Sequence, residues 1–446
     1  MECFYQVRKL GASDKFFYYV DSGPGMTMDI KLNFSFNDDI NFIALEESFG
    51  EAMKFFPEFA VRPVIKNGDL FYSENDNAPS FIKITSDDFT VNFGSNETNG
   101  YLLCFMYKES DRKNITLSFF HGLSDVVGFY KFVKTMLYLY AVKINPETEK
   151  LSAEDLAASG IRLSVPENWN SPENLDPYNF CGDEKIEPSF TPDLSNVFPL
   201  PVKLYDVDDK KDKCFKITLK LSGYLKKTKE LHTSFSAYFL YLMAQAVKRA
   251  YNTEDKNIIF GLPVNLRAVY NTDCAANFSD NVILTFYPDD FNLSAEALCS
   301  KIKASINSQR KPENYSKALF MKAKQVEEFD KNGDIIKKSC ELTSKQPDVT
   351  KIVTFGVTYI GKMDLPENIK FLVNDISFDM PFGVSFFLVY TFGDLMTVGT
   401  YQRFDDPEYT KAFYETLHEN GLNPRFEDKG YSYKNIMSLS RLEKED

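Results

Sequence analysis

The feature that most restricts the fold is a strand-then-helix order that recurs in both halves of the chain. Residues 29–36 alternate between apolar and polar side chains, which is the period of a half-buried strand. Residues 41–56 then place apolar side chains at helical spacing, and a strand pattern at 215–222 is likewise followed by a helical pattern at 234–250. Alternating strands and helices pack in α/β layers. The sequence therefore predicts an α/β fold of the sandwich type, with a mixed sheet in each half.

A long polar stretch separates the two halves. The chain has 446 residues, more than one hydrophobic core usually accommodates. Residues 143–212 are rich in Pro, Asn, Asp and Glu, and only 152–158 within them have a helical pattern. We therefore predict an N-terminal domain at 1–145, a crossover segment at 146–212 and a C-terminal domain at 213–446.

Charge and composition exclude several classes of partner. The formal net charge is −13, so the basic face that nucleic acid requires is not expected. The most apolar window, 235–247, is too short for a membrane span, and the first residues lack the apolar stretch of a signal peptide. The seven cysteines are scattered and none forms a C-x-x-C pair, which argues against a disulfide framework or a zinc site. We expect a reduced, cytoplasmic protein that holds no metal.

One of the three histidines lies in a position typical of a catalytic base. The segment NITLSFFH predicts a buried strand that ends in His121, and a helical pattern begins at Val126, directly after Asp125. Imidazole is the side chain that accepts a proton most readily near neutral pH. The spacing H-x-x-x-D is short and common, so on its own it favours a structural histidine over a catalytic base. His232 and His418 are interpreted as surface or helix-cap residues.

The sequence around His121 resembles a known superfamily of acyltransferases. SFFHGLSDVVGFYKFV, at 118–133, resembles the H-x-x-x-D segment of chloramphenicol acetyltransferases, plant BAHD acyltransferases and nonribosomal peptide condensation domains. Residues 55–72, 261–288 and 357–369 are similar to further segments of that superfamily in the same order. The resemblance covers most of the chain and is closest to bacterial stand-alone proteins of the alcohol acetyltransferase-like or condensation-domain-like type.

The resemblance implies two related domains with an active-site tunnel between them. An acyl-CoA, or a phosphopantetheine thioester, would enter as co-substrate from one face, and a small-molecule alcohol or amine from the other. His121 matches the general base, and Asp125 matches a carboxylate that pairs with an arginine, for which Arg267 in PVNLR stands at the expected position. Asn277 or Asn281 would line the acceptor side. The resemblance implies no bound cofactor, no metal and no covalent nucleophile.

The sequence departs from the superfamily pattern at three places. Phe120 replaces the first histidine of the doubled pair in condensation domains, which favours O-acylation over amide formation. Val126 follows the aspartate where glycine is common, and Gly128 comes two places later. The D-F-G-W-G motif of the plant enzymes is absent, and the sequence FGD at 392–394 is its only echo.

Lysines are concentrated at 210–229 of this acidic chain. One interpretation is an edge strand that lysines protect from pairing with other chains. The other is a docking patch for the phosphates of coenzyme A or of a carrier protein, in which Lys226 and Lys227 would bind the donor.

Three hypotheses for function follow. The first is transfer of an acyl group from coenzyme A to a small-molecule hydroxyl or amine. The second is condensation that uses acyl groups bound to a carrier protein. The third is an inactive homologue that binds a small molecule or a protein, which the Phe120 and Val126 departures favour. Motifs of serine hydrolases, P-loop proteins, dinucleotide-binding folds and zinc proteases are absent from the sequence.

Overall fold

A computed structural model gives the fold and describes residues 7–21, 28–85, 91–148, 151–200, 213–331, 353–380, 386–402 and 408–428. The strands are β1 (Val7–Lys9), β2 (Asp29–Phe36), β3 (Val61–Lys66), β4 (Asp69–Glu74), β5 (Phe81–Lys83), β6 (Leu103–Tyr107), β7 (Asn114–Phe120), β8 (Lys213–Lys220), β9 (Ile258–Asn265), β10 (Ser279–Phe286), β11 (Phe355–Lys362), β12 (Val373–Asp379), β13 (Phe386–Phe392), β14 (Leu395–Gln402) and β15 (Arg425–Asp428). The helices are α1 (Ala12–Asp21), α2 (Phe42–Met53), α3 (Val126–Ile144), α4 (Ala153–Ser159), α5 (Pro172–Leu175), α6 (Pro177–Cys181), α7 (Leu221–Glu230), α8 (Phe235–Ala250), α9 (Arg267–Tyr270), α10 (Ala295–Gln309), α11 (Glu313–Asp330) and α12 (Glu408–Glu419).

A five-stranded sheet, in the order β12-β2-β7-β6-β5, carries the first half of the chain. The alternation that predicts β2 buries one side of the strand, namely Ile30, Leu32, Phe34 and Phe36. Helices α2 and α3 pack together on the sheet. Phe49 of α2 meets the ring of Phe105 in β6 at 4.9 Å and that of Phe132 in α3 at 5.6 Å, both edge-on. Strands β1, β4 and β3 form a separate small sheet.

Strand β12 comes from the second half of the chain and completes the five-stranded sheet. Ile376 of β12 lies opposite Phe34 of β2 in an antiparallel pair. Ile376 and Phe378 belong to the same hydrophobic core cluster as Phe34. Residues 373–379 therefore stabilise the sheet of the first half. The domain limits at 145 and 213 stay a prediction.

A seven-stranded sheet, in the order β10-β9-β11-β13-β14-β8-β15, carries the second half. Strand β11 runs parallel to β9 and β13, and the other neighbours are antiparallel. Helix α8 contacts α10 and α12, and it shares a second core cluster with the sheet. A hairpin connects β13 and β14, where Gly393 takes a positive φ of 55°. The predicted α/β fold with mixed sheets is confirmed.

The edge-strand interpretation of the lysine cluster is wrong. Strand β8 is an inner strand that pairs with β14 on one side and with β15 on the other. The chain then turns into α7, which carries an exposed Lys226 and a half-buried Lys227. The short C-terminal strand β15 covers the edge of β8, and sequence alternation does not reveal such a partner. Lys210 and Lys211 lie outside the described residues.

The segment between the halves contains the short helices α4, α5 and α6. Ser152 caps α4 by accepting from the backbone N–H of Asp155, and Gly160 ends it with a φ of 72°. The helical pattern at 152–158 therefore predicted α4 correctly. Across all the described ranges, each helix is too short or too polar to cross a membrane.

Candidate active site

The junction between β7 and α3 places His121. The backbone N–H of His121 donates to the carbonyl of Met28 at 2.7 Å, which extends the pairing of β7 with β2 by one residue. Asp125 is the N-cap of α3, because its Oδ1 accepts from the backbone N–H of Gly128 at 2.9 Å. A strand end and a capped helix start thus fix the four-residue step from His121 to Asp125.

The carbonyl of Ser124 and the ring of Phe17 both contact the imidazole ring of His121. Its Nδ1 lies 3.1 Å from the carbonyl oxygen of Ser124. Because a carbonyl can only accept, Nδ1 carries the proton and the lone pair of the neutral ring is on Nε2. The ring of Phe17 stacks on the imidazole with centroids 4.1 Å apart and planes 23° apart. Burial lowers the pKa of His121 below its ordinary value of 6.5. The ring is therefore neutral at neutral pH, which is the form that can act as a base.

Asp125 and Arg267 form a buried ion pair across the two halves of the chain. Arg267 Nη1 donates to Asp125 Oδ2 at 2.8 Å, although the residues are 142 positions apart. The same oxygen accepts from the backbone N–H of Phe278 at 3.0 Å. Burial raises the pKa of Asp125, but Arg267 and the N–H groups of Phe278 and Gly128 more than offset it, so the pKa lies below 3.8. Asp125 is thus ionised.

Arg267 also binds the loop that follows α9. Its Nε donates to the carbonyl of Cys274 at 2.7 Å, and its Nη2 donates to the carbonyl of Ala276. Only 5% of Arg267 is exposed. This guanidinium therefore joins the 274–276 loop of the second half to the start of α3 in the first.

Gly128 lets α3 approach that loop closely. A Cβ at this position would lie 2.5 Å from the carbonyl oxygen of Ala275, 2.6 Å from Ser124 Oγ and 2.9 Å from Arg267 Nη2. Ser124 Oγ itself donates to the Ala275 carbonyl. A side chain larger than hydrogen would separate the two halves beside the base. The glycine three places after Asp125 was a visible signal in the sequence, but its role required the distances.

The structure brings one of the two candidate asparagines to His121. Asn277 Nδ2 donates to the carbonyl oxygen of His121 at 2.6 Å, and the residue is 1% exposed. Its Oδ1 is buried and has no hydrogen-bond partner among the described residues. Asn281 is instead exposed on β10, in register with Pro263, and within the described chain it has no hydrogen bond to His121.

The two candidate donor-binding lysines lie on α7. This helix contacts β8 and α8. Lys227 forms an ion pair with Glu230 at 3.0 Å, one turn further along the helix. In the described part of the chain, no hydrogen bond or ion pair joins Lys226 or Lys227 to His121, Asp125 or Arg267. The tunnel and a role for these lysines stay predictions.

Comparisons with known proteins place this geometry in a known fold. No family model and no curated protein matches the sequence. The structure is similar to polyketide synthase associated protein 5 of Mycobacterium tuberculosis, with a TM-score of 0.57 at 13% identity over 92% of this chain and 96% of that one. The structure is also similar to TRI101 of F. sporotrichioides complexed with coenzyme A and T-2. The TM-score is 0.58 at 11% identity, over 94% of this chain and 99% of that one. A third similar structure is a mutant starter condensation domain of rhizomide synthetase RzmA in complex with C8-CoA and Leu-SNAC. Its TM-score is 0.60 at 12% identity, over 93% of this chain and 94% of that one.

These likenesses show the fold. The neighbours include acetyltransferases and condensation domains, which matches the superfamily that the sequence resembles. Each likeness extends over nearly the whole chain, so it covers both halves and the segment between them. Identities of 9 to 13% leave the reaction and the roles of single residues to be argued from the site itself.

Proposed function

We propose that this protein is an acyltransferase that moves an acyl group from a coenzyme A thioester to the hydroxyl or amine of a small molecule. The observation that carries the proposal is the held, neutral imidazole of His121. The Ser124 carbonyl keeps its proton on Nδ1, and burial keeps its pKa low. A ring in this state is suited to take a proton through Nε2.

The proposed reaction needs no covalent enzyme intermediate. Nε2 of His121 takes the proton of the acceptor as its oxygen or nitrogen attacks the thioester carbonyl carbon. The tetrahedral intermediate collapses, the C–S bond breaks, and the imidazolium returns the proton to the leaving thiolate. The products are the ester or amide and free coenzyme A. Asp125 has a structural role in this scheme, because its oxygens accept hydrogen bonds from the Arg267 side chain and from the backbone N–H groups of Phe278 and Gly128.

Asn277 is proposed as a substrate-binding residue. It donates to the carbonyl of His121, and its buried Oδ1 has no partner among the described residues. Leaving a buried acceptor without a hydrogen bond costs about 1–3 kcal/mol, so a substrate N–H or O–H at this atom would recover that free energy. Coenzyme A bound in one similar structure and C8-CoA bound in another support a coenzyme A thioester as donor.

Condensation on carrier-bound acyl groups is the second candidate, since condensation domains are equally similar in fold. Phe120 argues against it. This residue is 2% exposed and packs on Tyr18 with ring centroids 4.6 Å apart, so it belongs to the core. Incubation with acyl-CoA and, separately, with an acyl-loaded carrier protein would distinguish the two donors. We propose that the protein is cytoplasmic, whichever of the two donors it uses.

The test is a transfer assay with purified protein. Acetyl-CoA and octanoyl-CoA are offered with a panel of alcohols and amines, and thiol release and acylated products are measured. His121→Ala is expected to lower the transfer rate at least about a hundredfold while the protein stays folded, because a positioned general base contributes about 10²–10⁴-fold. His232→Ala is the matched control and should transfer at the wild-type rate. Near-wild-type turnover in His121→Ala would contradict the proposed role of His121 as the general base.

A further inference from the structure

Helix α1 places an aromatic ring on the candidate base. The ring of Phe17 lies nearly parallel to the imidazole of His121, with centroids 4.1 Å apart. The Ser124 carbonyl contacts the edge of the same imidazole. The hydrogen bond constrains the direction of Nδ1, and the stacked ring constrains the plane of the imidazole.

A buried ionic cluster holds α1 in this position. Lys15 Nζ lies 2.6 Å from Asp69 Oδ1 and 2.5 Å from Asp330 Oδ2, and Lys15 is 1% exposed. Tyr19 OH donates to the other oxygen of Asp330 at 2.6 Å. Lys15 and Tyr19 stand two positions before and after Phe17. A buried charge is tolerated only when it is paired, so these contacts tie α1 to β4 and to α11.

The first turn of α1 has a separate anchor. The backbone N–H of Ala12 donates to Asp176 Oδ2 at 2.9 Å, in the segment between the halves. Gly11, just before the helix, is so close to Asp176 that a Cβ there would lie 2.5 Å from its carboxyl carbon. The helix that carries Phe17 is therefore held at its start and around its middle by three separate parts of the chain.

We propose that Phe17 is a positioning residue for His121, an inference that rests on the proposed function. The stack fixes the plane of the imidazole, so that the Nε2 lone pair keeps one direction while the acceptor approaches. It also keeps water from one face of the ring.

The neighbouring Phe16 offers a matched control. It is the same residue type on the same helix and is half-buried like Phe17. Its ring meets that of Phe17 edge-on, with centroids 5.6 Å apart and planes at 88°. Truncation of Phe16 therefore removes similar apolar area from α1 and leaves the stack on His121 in place.

The first measurement is an NMR titration of the histidine ring signals in the full chain, which has three histidines. His232→Gln and His418→Gln assign the signal of His121. We expect its pKa to rise toward 6.5 in Phe17→Ala, because water then reaches the ring. Phe17→Tyr and Phe16→Ala should keep the wild-type value. Asp125, the carboxylate whose charge acts on the imidazole, is unchanged in all variants.

The second measurement is acyl transfer from octanoyl-CoA. Phe17→Ala is expected to lower kcat about tenfold, because small errors in placement of a reacting group are costly, while the donor KM changes less than about twofold. Phe17→Tyr should restore kcat. If Phe17→Ala matches Phe16→Ala in both pKa and kcat, the positioning role is wrong. If His121→Ala still transfers, the proposed function fails instead, and the titration alone decides whether Phe17 holds the ring.

Discussion

The protonation state of His121 sets the pH range in which it can act as a base. Burial lowers its pKa below 6.5, so the neutral form persists to more acidic pH than for an exposed histidine. As pH falls through the pKa, the ring becomes charged and can no longer accept a proton. We expect kcat/KM to fall on the acidic side with a midpoint below 6.5. A midpoint at or above 6.5, measured with a stable thioester donor, would contradict this assignment.

Asp14 is the control for that profile. It lies in α1, and burial raises its pKa to about 7, although the nearby Arg8 opposes this shift. Its titration therefore falls in a neighbouring pH range. Asp14→Asn removes the group at nearly constant shape. The acidic limb should keep its midpoint in this variant if His121 is responsible.

Gly128 gives a prediction about packing. Gly128→Ala would bring a methyl group within 2.5 Å of the Ala275 carbonyl oxygen and within 2.9 Å of Arg267 Nη2. Overpacking of this kind costs about 1–3 kcal/mol, so we expect a lower Tm and lower activity. Gly223→Ala, on α7 with open space around it, should raise stability by about 0.5–1 kcal/mol instead. Equal Tm changes in the two variants would show that the close approach at Gly128 is unimportant.

Single residues of the site differed in how visible they were in the sequence. His121 and Asp125 lie four positions apart between two strong periodic patterns, and the superfamily resemblance added Arg267. Phe17 gave no signal, because it reaches the imidazole from an element more than a hundred positions earlier in the chain. Asn277 lies in the loop before β10, where periodicity does not specify side-chain direction, whereas Asn281 lies on β10 itself.

At the scale of elements, the Asp125–Arg267 ion pair connects α3 to α9 and the loop after it. Asp125→Ala leaves a buried guanidinium uncompensated, which typically costs about 3–5 kcal/mol. We expect lower Tm and lower activity. The double variant with Arg267→Ala should be less destabilised than the two single variants summed, by about 0.5–3 kcal/mol. Denaturant unfolding of the four proteins measures this coupling, and strict additivity would refute it.

Elements with strong periodicity were predicted well, and those that depend on partners were not. Strand β2 and helix α8 match their predicted positions to within about one residue. The sequence did not predict α1, because its buried face includes Ser13, Asp14 and Lys15. These polar residues interrupt the apolar pattern of the helix. Helix α7 buries only Tyr224 and Thr228, so it too has little apolar pattern.

At the scale of the whole molecule, alternation of strands and helices was enough for the fold class but not for the strand order. Strand β12 lies beside β2, and β15 covers β8. Both pairings join residues that are far apart in the chain. The sequence of a strand does not predict which strand will pair with it. The recurring strand-then-helix pattern and the polar stretch at 143–212 predicted two halves, and the superfamily resemblance implied the same organisation.

The charge distribution of the whole molecule gives the last prediction. Exposed lysines on an acidic chain of net charge −13 would attract the phosphates of coenzyme A, and α7 presents Lys226 and Lys227. Reversing both with Lys226→Glu and Lys227→Glu should raise the donor KM about threefold to tenfold at low salt. The difference should shrink near 0.15 M salt, where the Debye length is about 8 Å.

The matched control reverses two exposed lysines elsewhere in the second half, Lys303→Glu and Lys311→Glu. This double variant changes the net charge by the same amount as the first one. It therefore distinguishes phosphate binding at α7 from an effect of the overall charge on the donor KM. If both double variants raise the donor KM equally, only the overall charge matters. If neither changes it at low salt, α7 does not bind the donor, and the ion pair of Lys227 with Glu230 serves the helix alone.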